Sequence, residues 1–327
     1  MPGPSARTVS PMLASPTKTV PSGAEWLHEV KWDGVRVILE VSGGAVRTTS
    51  RNGNVTTAAW PELATSPLGD RDLVLDGEVI ALNEAGVPDF RVLQHRMHVR
   101  RAAEVARLVR SVPVTLMAFD LLGLDGEDLT AAPLVERRER LAGLDLTGSA
   151  WAVPEAYDDG AMLLEATRAQ GLEGVVSKRR ASPYRPGVRS PDWLKLAHRH
   201  RGTYVVGGWR PQVGTDDRLA AVLVGEPTAD GLAYRGRVGS GLSGATARRL
   251  QALLEPLAAG RSPFADAVPR VDATGTRWVE PVVVVDVDTH GAGYDRLRQP
   301  SFQGVRDDVA PEDLLVGRDP GRGGGRG

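Results

Sequence analysis

The sequence predicts an α+β chain in two parts: a mixed region of strands and helices, then a small closed β-barrel. Three observations lead there. The 327 residues are enough for one large or two ordinary domains. From about residue 25 to 200, strand-like apolar runs alternate with short helical patterns. From Thr203 onward, four or five short strands share the chain with one helix, which suits a Greek-key barrel such as an OB-fold. The expected partition is an extended lead-in over 1–22, a first domain over 23–201, a barrel over 202–316 and a flexible Gly/Arg tail over 317–327.

Each element has a local reason. Runs of β-branched and apolar residues place strands at 27–31, 35–41, 45–50, 73–82, 114–121 and 174–178. Helical spacing places helices at 91–109, 134–142 and 160–170, the last ending at Gly171, a good C-terminal cap. In the second part, strands are expected at 203–210, 219–225, 232–238 and 278–287. A helix at 244–258 carries Leu250, Leu253, Leu254 and Leu257.

Composition narrows the function. A hydrophobic content of 41% supports a sizeable core, and a net charge of -1 means that any basic surface is local. The absence of cysteine excludes disulfides, thiolate zinc sites and cysteine nucleophiles. No apolar run approaches the ~20 residues that span a bilayer. The first 19 residues lack an apolar segment followed by a cleavage site, so a cytoplasmic chain without membrane contact is expected.

Lys31-Trp32-Asp33-Gly34-Val35-Arg36 is the most informative stretch. A lysine at the end of a buried strand is expensive. It is worth keeping when its surroundings make the amine a nucleophile. Asp33 and Gly34 allow a tight turn, and Arg36 adds a fixed cation suited to phosphate or ribose oxygens. Asp76-Gly77-Glu78 interrupts one apolar run; taken alone it reads as a turn with Glu78 toward solvent. Phe119-Asp120 sets a carboxylate beside an aromatic in another run. Glu173 and Lys178 bracket Gly174-Val175-Val176-Ser177, and an odd separation puts them on opposite faces unless the strand bends at Gly174. Val176 and Lys178 share a face.

Two stretches are basic. From Lys178 to Arg201 eight cations face Asp192 alone, and Tyr184 and Trp193 among them point to a phosphate-binding surface. From Arg91 to Arg110 the pattern reads as an exposed amphipathic helix. Gly239-Ser240-Gly241-Leu242-Ser243-Gly244 matches G-x-G-x-x-G. The strand before it carries Tyr234, Arg235 and Arg237, which does not suit a dinucleotide fold. Histidines 28, 95, 98, 198, 200 and 290 show no metal spacing.

Taken in order, these pieces resemble the covalent nucleotidyltransferases, and most closely the ATP-dependent DNA ligases. The stretch 31–36 resembles the family's first motif. Thr49-Ser50-Arg51-Asn52-Gly53, Asp76-Gly77-Glu78, Phe119-Asp120, 173–178 and Trp193-Leu194-Lys195 follow in family order. Pro11-Met12-Leu13-Ala14, Gly207-Gly208-Trp209-Arg210 and Gly236-Arg237-Val238-Gly239 are similar to short bacterial ligases of the LigC type and the ligase domain of LigD. The resemblance implies a nucleotidyltransferase (adenylation) domain with antiparallel sheets and helices, followed by an OB-fold domain.

The resemblance also implies roles. Lys31 would take AMP from ATP as a phosphoamide, pass it to a 5′-phosphate at a nick, and release it when a 3′-hydroxyl closes the strand. Arg36, Lys178 and Lys195 would lower the proton affinity of Lys31 and steady the α-phosphate. Phe119 and Val176 would sandwich adenine, and the Glu29 backbone would read it. Glu78 and Arg36 would bind ribose; Arg51 and Arg189 would hold phosphate or nucleotide. Asp33, Glu78 and Glu173 would neighbour Mg²⁺ or Mn²⁺. Arg51, Arg179, Arg180 and Arg306 would contact nicked double-stranded DNA in a monomeric, nucleoid-associated repair enzyme. Two departures stand out. Ala197 replaces a second lysine, and Arg306-Asp307-Asp308-Val309 lacks the final lysine of the last motif. Slow self-adenylation, or isolation in partly adenylated form, is expected. An RNA ligase or capping-type enzyme shares the Lys31 chemistry; a catalytically impaired nucleic-acid binder is the third reading.

Overall fold

In the computed structural model, which describes residues 9–97, 99, 101–146, 150–215, 218–291 and 295–316, the chain divides into two units, Met1–Ala197 and His198–Gly327. The tail expected over 317–327 lies outside the described residues.

The first unit contains the strands Leu13–Pro16 (β1), Trp26–Val30 (β2), Val35–Ser42 (β3), Ala45–Ser50 (β4), Leu73–Ala81 (β5), Val114–Leu124 (β6), Glu127–Asp128 (β7), Trp151–Ala152 (β8), Ala156–Tyr157 (β9), Gly174–Arg179 (β10) and Arg189–Ala197 (β11). Its helices are Phe90–Met97 (α1), Ala102–Ser111 (α2), Leu134–Ala142 (α3) and Gly160–Ala169 (α4). One sheet runs β1-β11-β10-β2-β9, the other β4-β3-β5-β6-β7 with β8 on β6. All pairings are antiparallel except β1 with β11 and β6 with β8.

The larger apolar cluster of this unit gathers the second sheet with Trp60, Leu93, Leu141 and Trp151. A smaller cluster (Met12, Ile38, Phe119, Leu122, Tyr184 and Trp193) draws side chains from both sheets and binds them together. Asp159 caps α4 by accepting the Met162 N–H at 2.9 Å. Gly171, at φ +69°, ends that helix as expected.

Several expectations are corrected. The lead-in is a working strand, because β1 pairs with β11, itself hidden inside the basic stretch. The helix expected over 91–109 is two helices, with Arg101 in extended geometry as the N-cap of the second. Nor is that region a simple exposed face. Arg96 is fully buried, paired with Glu62 at 2.8 Å and bonded to the carbonyls of Ala59 and Val112. The Asp76-Gly77-Glu78 stretch is not a turn: β5 runs through it, with only a register shift between Asp76 and Gly77. A side chain at Gly77 would stand 2.7 Å from Leu116 and 2.9 Å from the Met117 carbonyl.

The second unit contains Arg199–Pro211 (β12), Leu219–Thr228 (β13), Gly231–Val238 (β14), Arg277–Trp278 (β15), Val284–His290 (β16) and Ser301–Val305 (β17), with helix Gly244–Leu254 (α5). The strand expected over 278–287 is two strands, and the helix expected to 258 stops at Leu254 before a short 3₁₀ turn. The order β14-β13-β12-β16-β17 closes on itself through a parallel bridge between Ser240 and Ser301, where Phe302 N–H meets the Ser240 carbonyl at 2.9 Å. This is the five-stranded OB-type barrel, and it removes the open sheet edges. The glycine run is part of the closure. Gly241 sits at φ +83°, and a Cβ there would be 2.3 Å from the Phe302 carbonyl.

Candidate active site

Register on the first sheet decides which side chains meet. Glu29 of β2, Val176 of β10 and Lys195 of β11 stand opposite one another across three strands. Residues opposite in register share a face, and so do residues two apart. Leu27, Lys178 and Trp193 form the next row, and Gly174 pairs with Ala197 beyond. Lys31 follows β2, and its N–H donates to the Gly174 carbonyl at 2.9 Å. Ala197 therefore lies in the row of Lys31, where a second lysine would have faced it.

Gly174 makes the bend that the odd spacing required. Its φ is +145°, and a Cβ would stand 2.1 Å from the Leu196 carbonyl. The bend carries Glu173 back to Lys31, with which it forms an ion pair. Lys178 pairs elsewhere, with Glu29 at 2.7 Å. Burial holds the Lys195 ammonium below its usual range, and the charges of Lys31 and Arg189 add to this; Glu173 and Arg51 also act on it. Lys31, Glu173, Lys195, Arg189 and Arg51 thus share one electrostatic neighbourhood.

The facing wall is β3 and β5. Arg36 stands opposite Glu78 in register, but its guanidinium binds Asp76, with Nε and Nη2 each 2.6 Å from a carboxylate oxygen. Burial works against the charge on Arg36, and Asp76 more than restores it, so its pKa is raised. Among the described residues Glu78 has no such partner. Desolvation pushes its carboxyl up to about 8, against the pull of Arg36 and Lys31 and with Glu173 and Asp76 repelling its charge. Asp33 turns away to the start of α1, accepting the Phe90 N–H at 3.3 Å. Gly34 is required there because a Cβ would stand 2.2 Å from the Val79 carbonyl.

At the other end, Lys178 lies 4.4 Å from the ring centres of both Phe119 and Trp193. Burial depresses its pKa, partly offset by Glu29. Arg138 of α3 reaches the same place from behind: it donates to the carbonyls of Phe119 and Pro154 and lies 3.5 Å from Glu29 Oε1, a buried oxygen with no hydrogen bond among the described residues.

The sequence reading missed Arg138, as well as Arg137, which binds the buried Asp120 through two hydrogen bonds at 2.7 and 2.9 Å. A signal existed for Arg137. Asp120, buried beside the equally buried Asp76 in register, needs a cation, and Arg137 shares the inward face of α3 with Leu134 and Leu141.

The basic stretch differs from expectation. Tyr184 and Trp193 are buried in the apolar cluster and form no surface. Many of the cations are paired: Arg179 and Arg185 with Asp192, Arg180 with Asp158, and Arg201 with Asp288. Arg189 donates to the Ala14 carbonyl at 2.6 Å. In the second unit, Arg306 pairs with Asp308 at 2.8 Å and Asp286 at 3.4 Å. Val309 packs against the apolar cluster around Phe264 and Val284.

Comparison with known proteins identifies the family of the two units. The model of the ATP dependent DNA ligase domain matches residues 11–196, and that of the ATP dependent DNA ligase C terminal region matches 215–309. The chain is 37% identical over 313 residues to the multifunctional non-homologous end joining protein LigD of Mycobacterium bovis, covering 94% of this chain and 40% of that one. It therefore spans about two fifths of the length of such relatives. It is 33% identical to a DNA ligase of Natronomonas pharaonis, covering 94% of this chain and 57% of the relative. Among solved structures, a mycobacterial DNA ligase D complexed with ATP and MES is 36% identical with a TM-score of 0.55, covering 94% of this chain and 98% of that one. By both of its domains, and by the order of motifs along them, the chain belongs to the ATP-dependent DNA ligases.

Proposed function

We propose that this chain seals 3′-hydroxyl/5′-phosphate nicks in double-stranded DNA, as part of DNA repair in the cytoplasm, through AMP carried on Lys31. The observation that carries the reading is Lys31 itself: a lysine fixed at the end of a buried strand, ion-paired to Glu173, in the field of Lys195 and Glu78. Glu173, ion-paired to Lys31, is placed to take the proton that leaves Nζ when the amine attacks. The neutral amine then forms a P–N bond to the α-phosphate of ATP, and the bond to pyrophosphate breaks. Lys195, Arg189 and Arg51 supply the positive field in which charge develops on the phosphate oxygens. Arg36 and Glu78 take the ribose, Phe119 and Val176 the base, with Glu29 and Lys178 at its edge. The 5′-phosphate of a nick then takes AMP from Lys31, and the 3′-hydroxyl displaces it. Arg179, Arg180 and Arg306 contact phosphates.

Among the described residues no group of three His, Asp or Glu side chains is set to hold a metal by itself. The residues present still fit Mg²⁺, which is commonly bound by one or two carboxylates plus substrate phosphates. Glu78 and Glu173 are the oxygen donors beside Lys31, and a carboxyl as unwilling to ionise as Glu78 gains from a cation. Mg²⁺ would supply charge neutralisation on the triphosphate.

The test is intact mass before and after incubation with ATP and Mg²⁺. One AMP adduct is expected in the wild type and none in Lys31→Ala, and nicked DNA should discharge the adduct. An adduct that persists in Lys31→Ala would sink the assignment. Discharge by nicked RNA but not DNA would favour the RNA-ligase reading.

A further inference from the structure

Tyr184 has no part in the chemistry above, yet its hydroxyl closes a ring of hydrogen bonds behind Arg36. The Met12 N–H donates to Tyr184 Oη at 2.9 Å, and Tyr184 Oη donates to Asp76 Oδ2 at 2.6 Å. Asp76 receives Arg36 Nε and Nη2, and Arg36 Nη2 also donates to the Met12 carbonyl at 3.0 Å. Four residues from the lead-in, β3, β5 and the loop before β11 thereby satisfy one another. Met12 and Asp76 are wholly enclosed, and Tyr184 is 3% exposed.

The ring has one direction built into it. An ionised carboxylate only accepts, so the single hydroxyl proton of Tyr184 goes to Asp76 and its lone pair goes to Met12. Burial and Asp76 both raise the Tyr184 pKa, which keeps that proton in place. Among the described residues, Arg36 Nε and Nη2 are spent while Nη1 makes no hydrogen bond, and the guanidinium lies 4.8 Å from the Phe119 ring centre and 5.6 Å from that of Trp193. Three fixed bonds on one edge and two rings at its face leave the guanidinium a single orientation, with Nη1 the one nitrogen left unspent among the described residues.

We infer that Tyr184, with the Met12 peptide, is a positioning residue for the nucleotide ribose: it locks Asp76, and through it Arg36, so that Nη1 is presented to the ribose hydroxyls. The inference rests on the reading that Arg36 takes the ribose. It makes the lead-in strand part of the nucleotide site.

The experiment is single-turnover self-adenylation with ATP and with 2′-deoxyATP, for the wild type, Arg36→Lys, Tyr184→Phe and the double variant. The wild type should prefer ATP by about tenfold or more, since a site built to bond a hydroxyl rejects the analogue lacking it. Tyr184→Phe should reduce that preference to about twofold, and adding it to Arg36→Lys should change the preference no further, because both act through one contact. If Tyr184→Phe slows both nucleotides equally and keeps the preference, the hydroxyl is merely structural and the inference is overturned. If Arg36→Lys keeps the preference, the ribose reading of Arg36 fails first. Should Tyr184→Phe not fold, hydrogen exchange at the Met12 amide of the wild type decides. An unreactive α,β-methylene ATP must protect that amide more than its 2′-deoxy counterpart, and equal protection overturns the inference.

Discussion

Glu78 and Val309 are the two residues whose surroundings make the sharpest predictions. The Glu78 carboxyl moves from 4.5 to about 8 through burial. A carboxyl whose folded pKa lies above its unfolded value binds the extra proton in the folded state. The contribution of Glu78 to stability is therefore full below 4.5 and is lost as pH rises toward about 8. A decline of about 2–4 kcal/mol across that window is expected, read as a falling Tm, and Glu78→Gln should flatten it. A wild-type Tm as flat as the variant's would show that Glu78 ionises normally. Val309 occupies the place where the family resemblance expects a lysine, and it packs into an apolar cluster. A lysine there trades burial for charge. Val309→Lys should speed self-adenylation several-fold while costing the second unit ~1–2 kcal/mol. Equal rates would remove the basis for slow self-adenylation.

At the scale of elements, the site is made by register. Three strands place Glu29, Val176 and Lys195 in one row, and a bend at Gly174 returns Glu173 to Lys31. Gly174→Ala must fit a Cβ into 2.1 Å beside the Leu196 carbonyl at a φ that side chains avoid. It should cost about 2–4 kcal/mol and slow adduct formation even where the protein remains folded. Gly171→Ala is a useful contrast: its φ is +69° but a Cβ there meets nothing, so a loss of about 1 kcal/mol and normal adenylation are expected. Chemical denaturation and adduct mass together separate the two effects. Strand periodicity was legible for β2, β3, β5, β6 and β10 because their runs are apolar. Strands β1 and β11 were not, because Pro, Ser and basic residues mask them and their pairing partners are 175 or so residues apart in sequence, as in Ala14 with Ser190.

At the scale of the molecule, each unit holds its own core. The second unit has Trp209, Val222, Val285 and Phe302 in one cluster and Tyr234, Phe264 and Val284 in another. A closed barrel with two filled clusters should fold alone. Residues 198–316 expressed by themselves are expected to unfold cooperatively, with the buried Trp209 reporting the transition by fluorescence. A non-cooperative melt with Trp209 solvated from the start would show that the barrel depends on the first unit. Among the described residues no helix is long and apolar enough to cross a membrane.

The amino-acid sequence by itself determined the two-part α+β architecture, the barrel and the candidate site residues. Those signals are local: strand runs, glycines at tight approaches and cations set beside carboxylates in family order. Which charges remain available was decided only by the tertiary structure. Arg36 is held by Asp76, Lys178 by Glu29 and Arg137 by Asp120, while the basic stretch folds its aromatics inward and pairs many of its arginines. The physical reason is desolvation. A buried charge must find its partner wherever the fold brings one, and those partners lie 17 to 149 residues away along the chain.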